Sequence, residues 1–421
     1  MEEGEANKES EVAPALIAVH PSQKSVAVAV GPTLRVFDLH AGSAASLIDD
    51  SSVPFHRDSI RAIRFGSKGR LLVSAGDDKT VRIWSTENWR CICTVSSEKR
   101  VSAVAISNDG SYVCFADKFG VVWVVDLAGC DGDQPLVDKK ATPLLSHYCS
   151  IITNLEFSPD GRFIISADRD FKIRVTIFPN KPLSGAHEIQ SFCLGHTEFV
   201  SCIAFIHDQD CPQGLLISGG GDSTVRLWDP SSGELLDTCE VAVKAGVAES
   251  NDDAKEHAYA VTDLCSIMDG SLVAVALQSL HGIILLKCNL SARTLLVAKV
   301  ISIAGEAFVP TCLGTSSCTG ILWMVTGVSS LPGSVARVRA ISGFDVEQDP
   351  AVVEDDKIPG GEKLLETLQG STSVDENAFM AAAEAVKTAM CNLLIKKQYS
   401  TENRETRKRT RNDRKLKTQQ S

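Results

Sequence analysis

The sequence predicts an all-β fold: a β-propeller of seven blades, followed by a C-terminal helix and a basic tail. Three observations point there. Short alternating apolar runs are separated by tight turns, a serine–aspartate–strand pattern recurs at fixed offsets, and helical periodicity is scarce before residue 345. A four-stranded blade must bury both faces against its neighbours, which calls for runs of this kind.

The turns come first. Gly66-Ser-Lys-Gly69, Asn108-Asp-Gly110, Pro159-Asp-Gly161 and Met268-Asp-Gly270 each follow one apolar run and precede another, so each reads as a hairpin turn. After the second run come Ser74-Ala-Gly-Asp-Asp78, Ser166-Ala-Asp-Arg-Asp170 and Ser218-Gly-Gly-Gly-Asp222. A third strand follows each: Thr80–Trp84, Lys172–Thr176 and Thr224–Trp228. The closing positions are then Phe37, Trp84, Val125, Thr176 and Trp228, separated by 47, 41, 51 and 52 residues. That is the WD40 period of about 40–45 with insertions. Two degenerate blades, over 261–287 and 309–341, complete seven. Residues 15–19 are expected to add as the outer strand of the last blade and close the ring, as in WD-repeat proteins generally.

Domain boundaries follow from composition: an acidic N-terminus over 1–14, the propeller over 15–345, an acidic linker over 346–372, an amphipathic helix over 373–398 and a basic tail over 399–421. The helix has a capping box at Ser373 and Glu376, with Phe379, Ala382, Val386, Met390 and Leu393 or Leu394 on one face. A polar acidic excursion is expected over 243–257. Net charge is −11 for the 421 residues, yet between Lys396 and Lys417 ten Lys/Arg face only three acids. Lys396-Lys397 and Arg407-Lys408-Arg409 are spaced like a bipartite nuclear import signal, and nucleus is the predicted location. The same stretch also reads as a solvated tail or as an RNA-contacting arm.

The N-terminus has no apolar signal core and no uncharged apolar run reaches about 18 residues, so a soluble intracellular protein is expected, away from membranes. Fourteen cysteines occur without a Cys-x-x-Cys, which predicts reduced structural thiols and no metal. No Gly-rich strand-to-helix loop offers a cofactor site, and none is expected.

The repeat resembles the WD40 pattern, and that resemblance implies a polar chain from tryptophan through serine and histidine to aspartate. Blade two supplies His56, Ser74, Asp78 and Trp84. Blade five supplies His196, Ser218, Asp222 and Trp228. A Ser-His-Asp set also suits a hydrolase, but here it recurs at repeat spacing with a tryptophan in register and lacks a Gly-x-Ser-x-Gly elbow. The structural reading is preferred.

A narrower resemblance lies in Ser166-Ala-Asp-Arg-Asp170, Ile173-Arg174 and Phe192-Cys-Leu-Gly-His-Thr-Glu-Phe-Val-Ser201. These residues resemble the WD-repeat, non-catalytic subunit of the eukaryotic tRNA (guanine-N7)-methyltransferase. The resemblance implies no catalysis by this chain, a heterodimer with the S-adenosylmethionine-dependent catalytic subunit, and tRNA reached indirectly through that complex. It also implies partner contacts from basic residues of blade four: Arg169, Lys172 and Arg174. The residues themselves agree that blade four is unusual. Arg169 stands where blades two and five have Asp77 and Gly221, Lys172 where they have Thr80 and Thr224, and Thr176 where they have tryptophan. Thr176 makes that blade's internal chain look incomplete, and Asp168 and Asp170 read as turn-shaping. Arg82 and Arg226 share the register of Arg174, so an ordinary strand arginine is the competing reading.

The alternative function is a generic adaptor such as a ubiquitin-ligase substrate receptor. Those receptors carry Trp-Asp-x-Arg, whereas Trp84 is followed here by Ser-Thr-Glu and Trp228 by Asp-Pro-Ser.

Overall fold

In the computed structural model, residues 13–370 are described apart from 49–55, 131–136, 148–149, 210, 247–258, 268–269, 304–307, 317–319, 329–334 and 345–348. Seven antiparallel sheets follow one another along the chain. Blade one runs through Leu16–Val19, Ser25–Val30, Thr33–Asp38 and Ser43–Ala44. Blade two is Ile60–Gly66, Leu71–Gly76, Thr80–Ser85 and Cys91–Ser96. Blade three is Val101–Ile106, Tyr112–Asp117, Val121–Asp126 and Thr142–Ser146. Blade four is Ile152–Phe157, Phe163–Asp168, Lys172–Ile177 and Ile189–Leu194. Blade five is Val200–Ile206, Leu215–Gly220, Thr224–Asp229 and Glu234–Glu240. Blade six spans Val261–Ile267 to Thr294–Ser302, and blade seven Cys312–Thr315 to Ala351–Val352. Between the third and fourth strands of blade three one detail departs from the repeat: Val137–Asp138 pairs in parallel with the outer strand of blade two.

The predicted closing positions all arrive at one place in their blades. Phe37, Trp84, Val125, Thr176 and Trp228 are fully buried, opposite Val26, Leu72, Val113, Ile164 and Leu216 of the preceding strand. The core is a series of layers between blades. Phe163, Ile165 and Val175 of blade four meet Val200, Ile203, Leu216 and Trp228 of blade five. On its other side blade four packs Ile152, Leu155 and Ile164 on Ala103, Val122 and Val124 of blade three. Removing apolar surface from water on both faces at about 25 cal/mol per Å2 is what drives the ring together.

Two expectations require correction. The strand near the N-terminus does not complete the last blade: Leu16–Val19 pairs with Ser25–Val30 as the innermost strand of blade one, because a short turn makes the local hairpin far cheaper to close than a pairing across the whole chain. Blade seven obtains its own fourth strand from Ala351 and Val352, opposite Ser342 and Ile341. Second, 346–372 is not simply a linker. It contains that strand and a helix, Gly361–Gln369, whose Leu364, Leu365 and Leu368 are buried.

This helix closes the ring. Its leucines join Val26, Val28 and Phe37 of blade one and Trp323, Val325 and Val338 of blade seven in one cluster. Arg35 donates to the Leu368 carbonyl at 3.2 Å, and the Val338 N–H donates to Gln369 Oε1 at 2.9 Å. Gly360 begins the helix at φ +91°, where a Cβ would lie 2.8 Å from the Phe37 ring. Behind the helix, Ala15 N–H bonds the Gly327 carbonyl at 2.8 Å and the Thr311 hydroxyl bonds the Ala15 carbonyl at 2.7 Å.

The acidic N-terminus over 1–12, most of the excursion at 243–257, the helix expected over 373–398 and the tail with Lys396, Lys397, Arg407, Lys408 and Arg409 lie outside the described residues. The eleven cysteines among the described residues are free thiols, and burial pushes Cys193 up to about 12. Among the described residues no helix is long and apolar enough to cross a membrane.

Candidate partner-binding edge of blade four

The polar chains of blades two and five form as expected. Trp84 Nε1 donates to Ser74 Oγ at 3.0 Å, Ser74 meets His56 Nε2 at 2.8 Å, and His56 Nδ1 meets Asp78 Oδ2 at 2.9 Å. In blade five the same three distances are 2.8, 2.7 and 3.0 Å, through Trp228, Ser218, His196 and Asp222. Ser74 and Ser218 are fully buried. Their oxygens accept from indole and share a proton with imidazole, so these sets satisfy buried polar atoms and have no open face for a substrate. Burial pushes the Asp222 carboxyl up, but bonds from His196, the Thr197 N–H and Thr224 outweigh it and hold the group at about 2.

Blade four holds a variant of this chain that the sequence reading missed. His147 Nε2 meets Ser166 Oγ at 2.7 Å, and its Nδ1 meets Asp168 Oδ2 at 2.9 Å. The acid is Asp168, two residues before the position that Asp78 and Asp222 occupy. Its other oxygen accepts from the Asp170 N–H at 2.8 Å and the Lys172 N–H at 3.1 Å. Asp168 therefore both shapes the turn, as expected, and anchors the histidine. In the register of Asp168, blades two and five have Gly76 and Gly220. A Cβ on Gly76 would lie 2.1 Å from the Ser59 carbonyl, and one on Gly220 would lie 2.9 Å from His196 Nδ1. Blade three has Asp117 there, whose Oδ2 accepts from Trp123 Nε1 at 2.9 Å. The available sequence signal was spacing: His147 precedes Ser166 by 19 residues, as His56 precedes Ser74 by 18 and His196 precedes Ser218 by 22.

Blade four keeps an acid, Asp170, at the register of Asp78 and Asp222, yet its histidine turns to Asp168, and the surroundings of Arg174 differ as well. In blade five Arg226 lies 3.6 Å from Asp222 and donates to Thr224 Oγ1 at 3.1 Å. Arg174 instead donates to Thr176 Oγ1 and to the Ser146 carbonyl of blade three, each at 3.1 Å. Burial pulls its pKa below the ordinary arginine value. Lys172 is exposed, and Arg169 is half-buried with a shielded Nε that has no hydrogen-bond partner among the described residues. No described carboxylate is within ion-pair distance of Arg169, Lys172 or Arg174. All three predicted cations thus belong to one side of blade four, on the turn 169–171 and the strand that follows it, without an ion-pair partner among the described residues.

The same edge is partly apolar. Lys172 is directly opposite Leu194 and Arg174 opposite Phe192 in the outer strand. Leu194 is 60% exposed, Phe192 44% and Phe171, on the turn, 37%.

Fold and polar chains together define a WD-repeat propeller, whose blade four carries a charged and apolar edge. The family described as the tRNA methyltransferase TRM82 WD40 domain matches residues 21–143 and 132–343. The chain belongs to that family. Among curated relatives it is similar to the Dictyostelium discoideum tRNA (guanine-N(7)-)-methyltransferase non-catalytic subunit wdr4, 32% identical over 243 residues, covering 55% of this chain and 50% of that protein. The Homo sapiens WDR4 subunit is 33% identical over 224 residues, 52% of this chain and 50% of that one. The chain thus spans about half the length of these two relatives, whereas with Xenopus laevis wdr4 the match is 27% identical over 409 residues, 93% of this chain and 94% of that one. Among solved structures, the RRP9 WD40 repeats align with a TM-score of 0.59 at 18% identity, over 75% of this chain and 87% of that one. This likeness concerns the fold alone.

Proposed function

We propose that this chain is the non-catalytic subunit of a heterodimeric tRNA (guanine-N7)-methyltransferase. Its partner binds S-adenosylmethionine and transfers the methyl group to N7 of a guanine in the variable loop of tRNA. This chain holds the catalytic subunit in an active conformation and keeps it abundant, and tRNA meets the propeller only through the complex. The observation that carries the reading is the group Arg169, Lys172 and Arg174, three cations on one edge with no described carboxylate within ion-pair distance. Carboxylates of the catalytic subunit complete them. Pairs of this type fix orientation and partner choice, and losing one side of a buried pair costs about 2–5 kcal/mol.

Family membership supports this reading, as do the relatives' names. Co-expression with a catalytic tRNA guanine-N7 methyltransferase tests it. The expected result is stable capture by the native chain and loss of capture when Arg169, Lys172 and Arg174 are changed together to glutamate in a folded variant. Capture that survives the reversal moves the interface elsewhere on the propeller, and absence of capture returns the chain to the adaptors. The tail residues Lys396, Lys397, Arg407, Lys408 and Arg409 act as a nuclear import signal in the same proposal. A reporter fused to 396–417 that stays in the cytoplasm refutes that part.

A further inference from the structure

The motif Phe192–Ser201 contributes two side chains that the fold does not use. His196 is consumed by the polar chain of blade five, Cys193 and Val200 are buried in the layer between blades four and five, and Phe199 is 2% exposed. Phe192 and Leu194 instead face solvent. Sister blades show that nothing in the repeat requires this. Opposite Thr80 and Arg82, blade two has Ser96 and Thr94. Opposite Thr224 and Arg226, blade five has Glu240 and Thr238. Blade four alone of the three places leucine and phenylalanine at these two registers, beside the blade that alone gained Lys172. Directly opposed residues on neighbouring strands share a face, so Lys172, Leu194, Arg174 and Phe192 form a two-by-two block of alternating cation and apolar side chain.

Phe171 borders that block. It holds φ +70° at the turn tip, a conformation shared by Lys79 (+64°), Gly120 (+85°) and Ser223 (+59°) in blades two, three and five, so only its exposed aromatic ring is particular to blade four.

We infer that Phe192 and Leu194, with Phe171 at their border, form the apolar centre of the docking site for the catalytic subunit. The inference rests on the proposed function and deepens it. The matching element of the partner presents an apolar side chain flanked by carboxylates. Charge complementarity selects this occupant: the block's cations have no described acid of their own, and a purely apolar partner would leave Arg174 and Lys172 desolvated and unpaired. An apolar centre with a charged border is also the anatomy in which excluded water strengthens the ion pairs around it.

The test uses the full chain co-expressed with the catalytic subunit, and affinity measured by titration calorimetry on the purified subunits. Phe192→Ser with Leu194→Ser is compared with Leu296→Ser, which removes a 62% exposed leucine from the outer strand of blade six. The expected result is affinity lowered at least about tenfold by the double substitution, with Leu296→Ser unchanged and both unfolding midpoints at the native value. Leu194→Ser alone, at the more exposed position, repeats the test if the double variant loses stability, and a weaker loss of affinity is expected from it. Native affinity in a folded variant, with capture still abolished by the charge reversal, overturns this inference and leaves the proposed function standing. Failure of the native chain to bind any catalytic subunit overturns both. Concentration-dependent self-association abolished by the double substitution assigns the patch to a second copy of this chain and overturns the inference.

Discussion

Arg174 and Arg226 occupy the same register of neighbouring blades, yet Arg226 lies 3.6 Å from Asp222 while Arg174 has only the Ser146 carbonyl and the Thr176 hydroxyl, each at 3.1 Å. Blade four has Asp170 at the register of Asp222, but its histidine bonds Asp168 instead. Asp168 takes the histidine that Asp222 takes in blade five, and its carboxylate is 2% exposed.

Removing His147 tests this relocated chain. His147→Ala leaves Ser166 and Asp168 buried without their partner, and a loss of about 1–3 kcal/mol is expected. For a chain of 421 residues, whose unfolding entropy is about 2.1 cal/mol/K per residue, that is a fall of about 1–3 °C in thermal midpoint. His40→Ala, at an exposed position in blade one, should leave the midpoint unchanged.

The acid cannot be moved in the same way in blade two. A Cβ at Gly76 meets the Ser59 carbonyl at 2.1 Å and Ile60 Cα at 2.8 Å, both backbone atoms. Gly76→Asp should therefore cost more than about 4 kcal/mol and yield insoluble protein, although aspartate is native at the same register in blades three and four. Soluble, native-like protein on expression of this variant would contradict the steric account.

Acid stability follows from Asp222. Its folded pKa of about 2 lies below the ordinary carboxylate value of 3.8, so its contribution is complete above about pH 4 and is lost as pH falls toward 2. Asp78 is shifted in the same direction: burial opposes the shift and the bonds from His56 and Thr80 outweigh it. Denaturant midpoints measured from pH 5 downward should decline over that window, and Asp222→Asn should flatten the decline.

The closing helix should be worth more than its length suggests. Leu364→Ala or Leu368→Ala removes a fully buried leucine from the seam between blades seven and one, with an expected cost of about 2–5 kcal/mol each. Hydrogen exchange should speed first at Thr33–Asp38 and Val335–Ser342, the strands beneath the helix, and later in blades three to five.

The seven blades were legible because Ser74, Ser166 and Ser218 and their closing residues keep a strict offset that only a repeated sheet explains. The two degenerate blades were legible as alternating runs alone. Ring closure was not legible. Nothing local distinguishes Leu16–Val19 as an inner strand from an outer one, since either position needs the same alternation. Nor does the short run Leu364, Leu365, Leu368 announce a helix when acidic and proline residues surround it. In the site, Arg169 and Lys172 stood out because they broke the repeat, whereas Arg174 shares its register with Arg82 and Arg226 and was brought in by the resemblance. His147 was hidden by the variable spacing before Ser166, and Phe192 and Leu194 by looking like any apolar strand. Their significance depends on which way a side chain points, and an outer strand carries no signal for that.

Arg35 and Leu368, which touch across the seam, are 333 positions apart in the chain. At a synthesis rate of about 5–20 residues per second, blade one waits on the order of tens of seconds for the helix that covers it. Throughout that interval Val26, Val28 and Phe37 present bare apolar surface, while blade four has both of its neighbours well before the end of the chain emerges. The edge of blade four is therefore finished before the ring is, while the first blade still has apolar surface to cover.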